Sequence, residues 1–170
     1  MPDPSATLPA LDPGTSATGC CALIDPNQWD DREFEFVDKP FVVARTRGIL
    51  HVPLDMGSVM RRAQRAIDAA DARSPDALVL SRDISSWRAE HLIAVTGPVP
   101  GMDLVHLSGR YLTKVFDGPF KDAGRWHEQL RELAIERGEA PQRSYLFYTT
   151  CPKCAATYGA NYVVGFEQVA

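Results

Sequence analysis

Hydrophobic positions along this chain follow two periods, and the switches between them mark its elements. In "EFEFV" (residues 33–37) acidic and apolar residues alternate, as on a strand with one buried face. From Phe41, "FVVARTRGILHVPL" is rich in β-branched and apolar residues and predicts a strand with a bulge or break near Gly48. "DMGSVMRRAQRAIDAADARSPD" then changes to helical spacing. Val59, Met60, Ala63, Ala66, Ile67 and Ala70 fall on one face, Arg61, Arg62, Arg65 and Asp68 largely on the other, and Pro75 ends the segment. Two strands follow, "ALVLSRD" and "EHLIAVTG", joined through "ISSWRA".

The second half repeats this order. "MDLVHLSGRYLTKVF" predicts a strand region and "DGPF" a turn. "KDAGRWHEQLRELAIERG" predicts a helix with Ala123, Trp126, Leu130, Leu133 and Ala134 on one face and Gly138 as its stop. "RSYLFYTT" and "NYVVGFEQV" read as two closing strands. Strand–helix–strand–strand thus occurs twice. The pattern predicts one α+β domain over residues 41–170, with halves at 41–99 and 100–170. Its sheet is expected to be mostly antiparallel with two helices on one face, and a cleft between the halves is the default ligand site. Residues 1–19, rich in Pro, Ser, Thr, Gly and Ala, read as a disordered or loosely held arm. Residues 20–40 read as a lead-in segment anchored by Trp29, Phe34 and Phe36.

Charge narrows the partners. A net charge of -4 leaves no basic excess to neutralise phosphates, which argues against nucleic acid. No apolar run approaches the roughly 18 residues of a membrane helix, and "MPDPSATLPALDPGTSATG" has neither the basic nor the apolar region of a secretory signal. A cytoplasmic protein with no membrane partner is the expectation, with the oligomeric state open.

In that compartment Cys20, Cys21, Cys151 and Cys154 are expected as thiols or metal ligands. Cys151-Pro152-Lys153-Cys154 is half of a standard zinc site, and Cys20-Cys21 would have to supply the rest. A redox dithiol needs a long helix after the motif, whereas "AATYGAN" leaves about two turns. A plain thiol pair in a connection is the third reading. His51, His91, His106 and His127 show no helical metal spacing, and no G-x-S-x-G elbow surrounds a serine. Hydrolytic chemistry would therefore use water activated by a carboxylate. Of the aromatic residues most read as core, while Trp87 stands in a polar connection and could stack on a ligand.

"YLTKVFDGPFKDAGRWHEQLRELAIERG", then "YLFYTT" and "YVVGFEQV", resembles the GyrI-like small-molecule-binding family, of the type shared with SOUL domains. Gly118-Pro119-Phe120, Trp126 and Tyr148 carry the match, and the first half from Phe41 to Pro98 fits the weaker repeat. "WDDREFEFVDKPFV", "HVPLDMGSVM" and "YTTCPKCAATYG" also resemble a bacterial subgroup labelled "hydrolase". The resemblance implies a duplicated β-α-β-β fold and a small, planar or hydrophobic ligand in an aromatic cleft. Trp87, Tyr111, Phe120, Trp126 and Tyr148 would line that cleft. Family members carry a Glu two residues before the strand Tyr; Leu146 stands there, so the charge is expected from Glu90 or Glu167, either of which could activate water. Two alternatives stand beside this. One is a zinc- or thiol-dependent protein built on the four cysteines; the other is a sequestering or partner-binding module without turnover.

Overall fold

The alternation that begins at Glu33 does not stop at Val37: strand β1 runs from Arg32 to Ile49. Asp38, Lys39 and Pro40 break the apolar pattern, and Asp38 adopts a φ of 51°, so the sequence reads as two segments where the backbone makes one bent strand. The computed structural model describes residues 7–11 and 21–170. The arm expected over residues 1–19 thus lies outside the described residues except for 7–11, as does Cys20. The chain divides into two compact units, one of Val37–Ser108, the other of Gly109–Ala170 with Phe36 and the described residues before it.

After β1 come β2 (Val52–Pro53), helix α1 (Met56–Ala69), β3 (Val79–Ser85), β4 (Arg88–Ala94) and β5 (Asp103–Asp117). Helix α2 (Ala123–Glu136), β6 (Pro141–Tyr148), helix α3 (Pro152–Tyr158) and β7 (Tyr162–Val169) complete an α+β chain with antiparallel strand pairings. The third helix is α3, which the expected count of two did not include.

In the unit of residues 37–108, β4 lies between β1 and β3. Side chains alternate across a strand, so Val42, Ala44 and Ile93 meet the apolar stripe of α1, of which Ala63 and Ile67 are buried. The face predicted from the helical period is the face that packs. His91 shares this side of the sheet and is buried there. Its Nδ1 lies 2.7 Å from Ser81 Oγ and its Nε2 3.0 Å from Thr46 Oγ1, which engages both ring nitrogens. Burial holds the imidazole below its ordinary pKa, although acidic neighbours pull the other way. His91 is therefore a bonded core group.

In the other unit β7 lies between β5 and β6, and α2 packs over β6 and β7. Phe116, Trp126, Leu130, Leu146 and Val163 fill the space under the helix. The opposite side of these strands carries Tyr111, Tyr145 and Phe166, and Trp29, Phe34 and Phe36 belong to the same aromatic cluster. The Thr113 hydroxyl donates to the Trp29 carbonyl at 2.6 Å, which ties the lead-in segment to β5. Ile24, Trp29, Phe34 and Phe36 of that segment are buried in its unit.

Gly165 sets how closely α2 approaches. A Cβ there would stand 2.5 Å from Leu130 Cδ1 and 2.9 Å from Phe116, both of them enclosed. Gly165→Ala is expected to destabilise the protein by about 1–3 kcal/mol through overpacking, read as a lower urea midpoint. An unchanged midpoint would mean that α2 can move outward freely.

Candidate functional site

Strand β7 is apolar along almost its whole length, and one carboxylate interrupts it. Register pairs Glu167 with Ser144 on β6 and Leu112 on β5, so its side chain lies on the side facing α2. Glu167 is only 3% exposed. Burial pushes its pKa up to about 7, with Arg131 and the Gln142 backbone N–H pulling in the opposite direction. A carboxyl group in this state both holds and releases a proton near neutrality.

Helix α2 delivers two more groups to the same place. His127 and Arg131 are four residues apart and so share one edge of the helix, beside the buried stripe of Trp126, Leu130 and Ala134. His127 Nδ1 lies 2.6 Å from Ser144 Oγ. His127, Glu128, Arg131, Gln142, Arg143, Ser144 and Glu167 line an open cavity of about 260 Å³, and all of these side chains are polar. A second cavity of about 370 Å³ follows α1 and is lined by Val43, Val59, Arg62, Met102 and Asp103 among others. Neither is walled by aromatic rings.

The five expected ligand-binding aromatics are therefore placed otherwise. Trp126 stacks on Phe116 at 5.5 Å between centroids and is buried under the helix. Tyr111 is fully buried 4.6 Å from Phe36 on the opposite side of the sheet, and its hydroxyl has no hydrogen-bond partner among the described residues. Phe120 and Tyr148 meet each other at 5.6 Å near the surface. Trp87 sits in the other unit, in the two-residue turn between β3 and β4, and is 57% exposed. The polar residues around it mark a hairpin tip. Of the two expected bases, Glu90 faces Arg82 across the strand pair and accepts its Nε–H at 2.6 Å. It lines neither cavity.

The cysteines form a second cluster in the same unit. Pro152 opens α3 and Gly159, in the left-handed region at φ 68°, closes it after seven residues. This short turn brings Cys151 Sγ to 3.4 Å from Cys154 Sγ, and Cys154 is fully buried. Cys21 joins them, so that the three sulfurs lie within 4.8 Å of one another. The Tyr158 hydroxyl donates to the Cys21 carbonyl and so holds the two segments together.

Residues 11–169 match the family model described as "Bacterial hydrolase". The chain belongs to the Bacterial hydrolase family. No curated protein matches it in sequence. Among solved structures it is similar to a hydrolase encoded by lin2189 from Listeria innocua, with a TM-score of 0.56 and 12% identity over 84% of this chain and 93% of that one. A second Listeria innocua hydrolase gives 0.55 at 13% identity over 83% and 93%. An uncharacterized conserved protein from the same organism gives 0.57 at 10% over 82% and 91%. At these identities the likeness concerns the fold. Among the described residues no helix of this Bacterial hydrolase family member is long and apolar enough to cross a membrane.

His127, Arg131 and Ser144 carry no motif in the sequence; their spacing becomes meaningful only once α2 lies on β6. Glu167 did have a signal, as an acid inside "YVVGFEQV".

Proposed function

We propose that this chain hydrolyses small polar molecules in the cavity beneath α2, with Glu167 as general base. The observation that carries the reading is a buried carboxyl group with a pKa of about 7 opening onto a polar cavity. In its ionised form Glu167 takes a proton from water as the water oxygen attacks the substrate carbonyl or equivalent centre. The same proton then goes to the leaving group as the bond breaks. Arg131 would face the negative charge that develops on the substrate oxygen. The family description supports hydrolysis, and the resemblance to GyrI-like domains supports a small molecule as substrate. The polar lining favours a polar ligand over the planar or hydrophobic one that the resemblance implies.

A panel of small esters, lactones, amides and phosphoesters tests this. Turnover should rise with pH through a midpoint near 7, because the base works only once it has lost its proton. Glu167→Gln should lower kcat/KM by at least about 100-fold in a protein that stays folded. Undiminished turnover in that variant would remove Glu167 from the reaction.

The short Ser144–His127 contact favours a second reading, in which Ser144 attacks the substrate after giving its proton to His127. The bond to the leaving group then breaks as His127 returns that proton to it, and water, losing a proton to His127, cleaves the acyl-enzyme and restores the Ser144 hydroxyl. Ser144→Ala separates the two: it abolishes turnover by the covalent route and spares most of it when water is the nucleophile.

A further inference from the structure

We propose that Cys21, Cys151 and Cys154 form a zinc site that clamps the start of the lead-in segment onto the connection between β6 and β7. The chain has four cysteines, and three of them converge here from opposite ends of the sequence. All three are thiols. Thiolates at about 2.3 Å from a tetrahedral zinc stand about 3.8 Å from one another. The observed sulfurs, 3.4 Å apart in one pair and all within 4.8 Å, reach that arrangement with displacements of a few tenths of an ångström to about 1 Å.

The surroundings suit a metal better than bare thiols. Cys154 is fully buried and Cys151 and Cys21 are half-buried, so a thiolate here needs a cation beside it. Three soft sulfur donors select zinc over magnesium or calcium. The helix that starts after Cys151 and carries Cys154 is too short to resemble the redox dithiol context, in which a long helix follows the motif. Two protein contacts prepare the site: Tyr158 bonds the Cys21 carbonyl, and the Cys151 carbonyl accepts the Ala155 N–H at 2.9 Å as α3 begins. Three protein ligands leave the fourth tetrahedral position for water or another donor. The site shares no residue with the cavity beneath α2, so it stands independently of the hydrolase reading.

The test uses the full chain, produced in zinc-supplemented medium and purified with a thiol reductant and no chelator. Elemental analysis is expected to find about one zinc per chain, falling to near none in Cys21→Ser and Cys151→Ser. Cys21 and Cys151 are chosen over the fully buried Cys154 because their substitution by serine leaves the core intact. Exchange with cobalt(II) should produce the intense thiolate-to-metal charge-transfer absorption in the wild type, lost in the same two variants. Folded, reduced wild-type protein that holds no zinc and fails to take it from a chromophoric chelator would overturn the site. So would a Cys151–Cys154 disulfide that forms in preference to metal binding when zinc is present and reductant is left out.

Discussion

Trp29→Ala is expected to lower the unfolding free energy by about 3–5 kcal/mol, the range for removing a large buried aromatic side chain. Trp29 is 1% exposed, and its indole meets Phe34 at 5.9 Å, Phe147 at 5.7 Å and Phe166 at 6.3 Å. These rings come from the lead-in segment, β6 and β7. Deleting the indole therefore opens a cavity at the point where three separate stretches of chain are joined. Domains of this size are stable by about 5–15 kcal/mol, so the loss would be a large fraction of the total. Urea unfolding followed by circular dichroism reads it directly. A change below about 1 kcal/mol would mean that residues 21–36 are only draped over the unit.

The second large effect is electrostatic. Above pH 7, Glu167→Gln is expected to make the protein more stable than the wild type by up to about 3 kcal/mol, while at pH 4.5 the two should be nearly equal. The sign follows from the proton balance. Unfolded, the carboxyl group titrates near 4.5; folded, it titrates near 7. Between these values the folded chain keeps a proton that the unfolded chain releases, so stability falls as pH rises through the window and stays reduced above it. The neutral amide removes this dependence. The attraction of Arg131 is already contained in the folded value of about 7, so it does not reduce the gain further. His91, with its lowered pKa, contributes a dependence of the opposite sign, lost as pH falls below its ordinary 6.5. That contribution is common to both proteins and cancels in the difference. Parallel pH–stability curves for wild type and variant would sink the prediction. A group that weakens the fold at the pH where it works is what a catalytic carboxylate would look like in this position.

Helix faces were legible because their signal is local. A backbone turning every 3.6 residues puts Ala63 and Ile67, or Trp126, Leu130 and Ala134, on one side whatever they later pack against. Burial of Trp29, Phe34 and Phe36 was legible for a related reason, since large apolar rings leave water wherever the chain allows. Glu167 stood out as an acid in an apolar strand. Trp87 was less legible, because a ring among polar residues fits a ligand wall and a hairpin tip equally well; the structure places it in the turn between β3 and β4.

The composition and periodicity of this chain thus dictated its α+β class, its main helices with their inner faces, and the residues most costly to expose. Strand register and the lie of α2 across β6 decided the rest: that Ser144 stands opposite Glu167, that His127 reaches Ser144, and that Cys21 meets Cys151 and Cys154. Backbone geometry repeats over a few residues and is written in neighbouring positions. Meetings between polar groups far apart in sequence depend on how whole elements are stacked, and so does the burial that moves a carboxyl group to pKa 7.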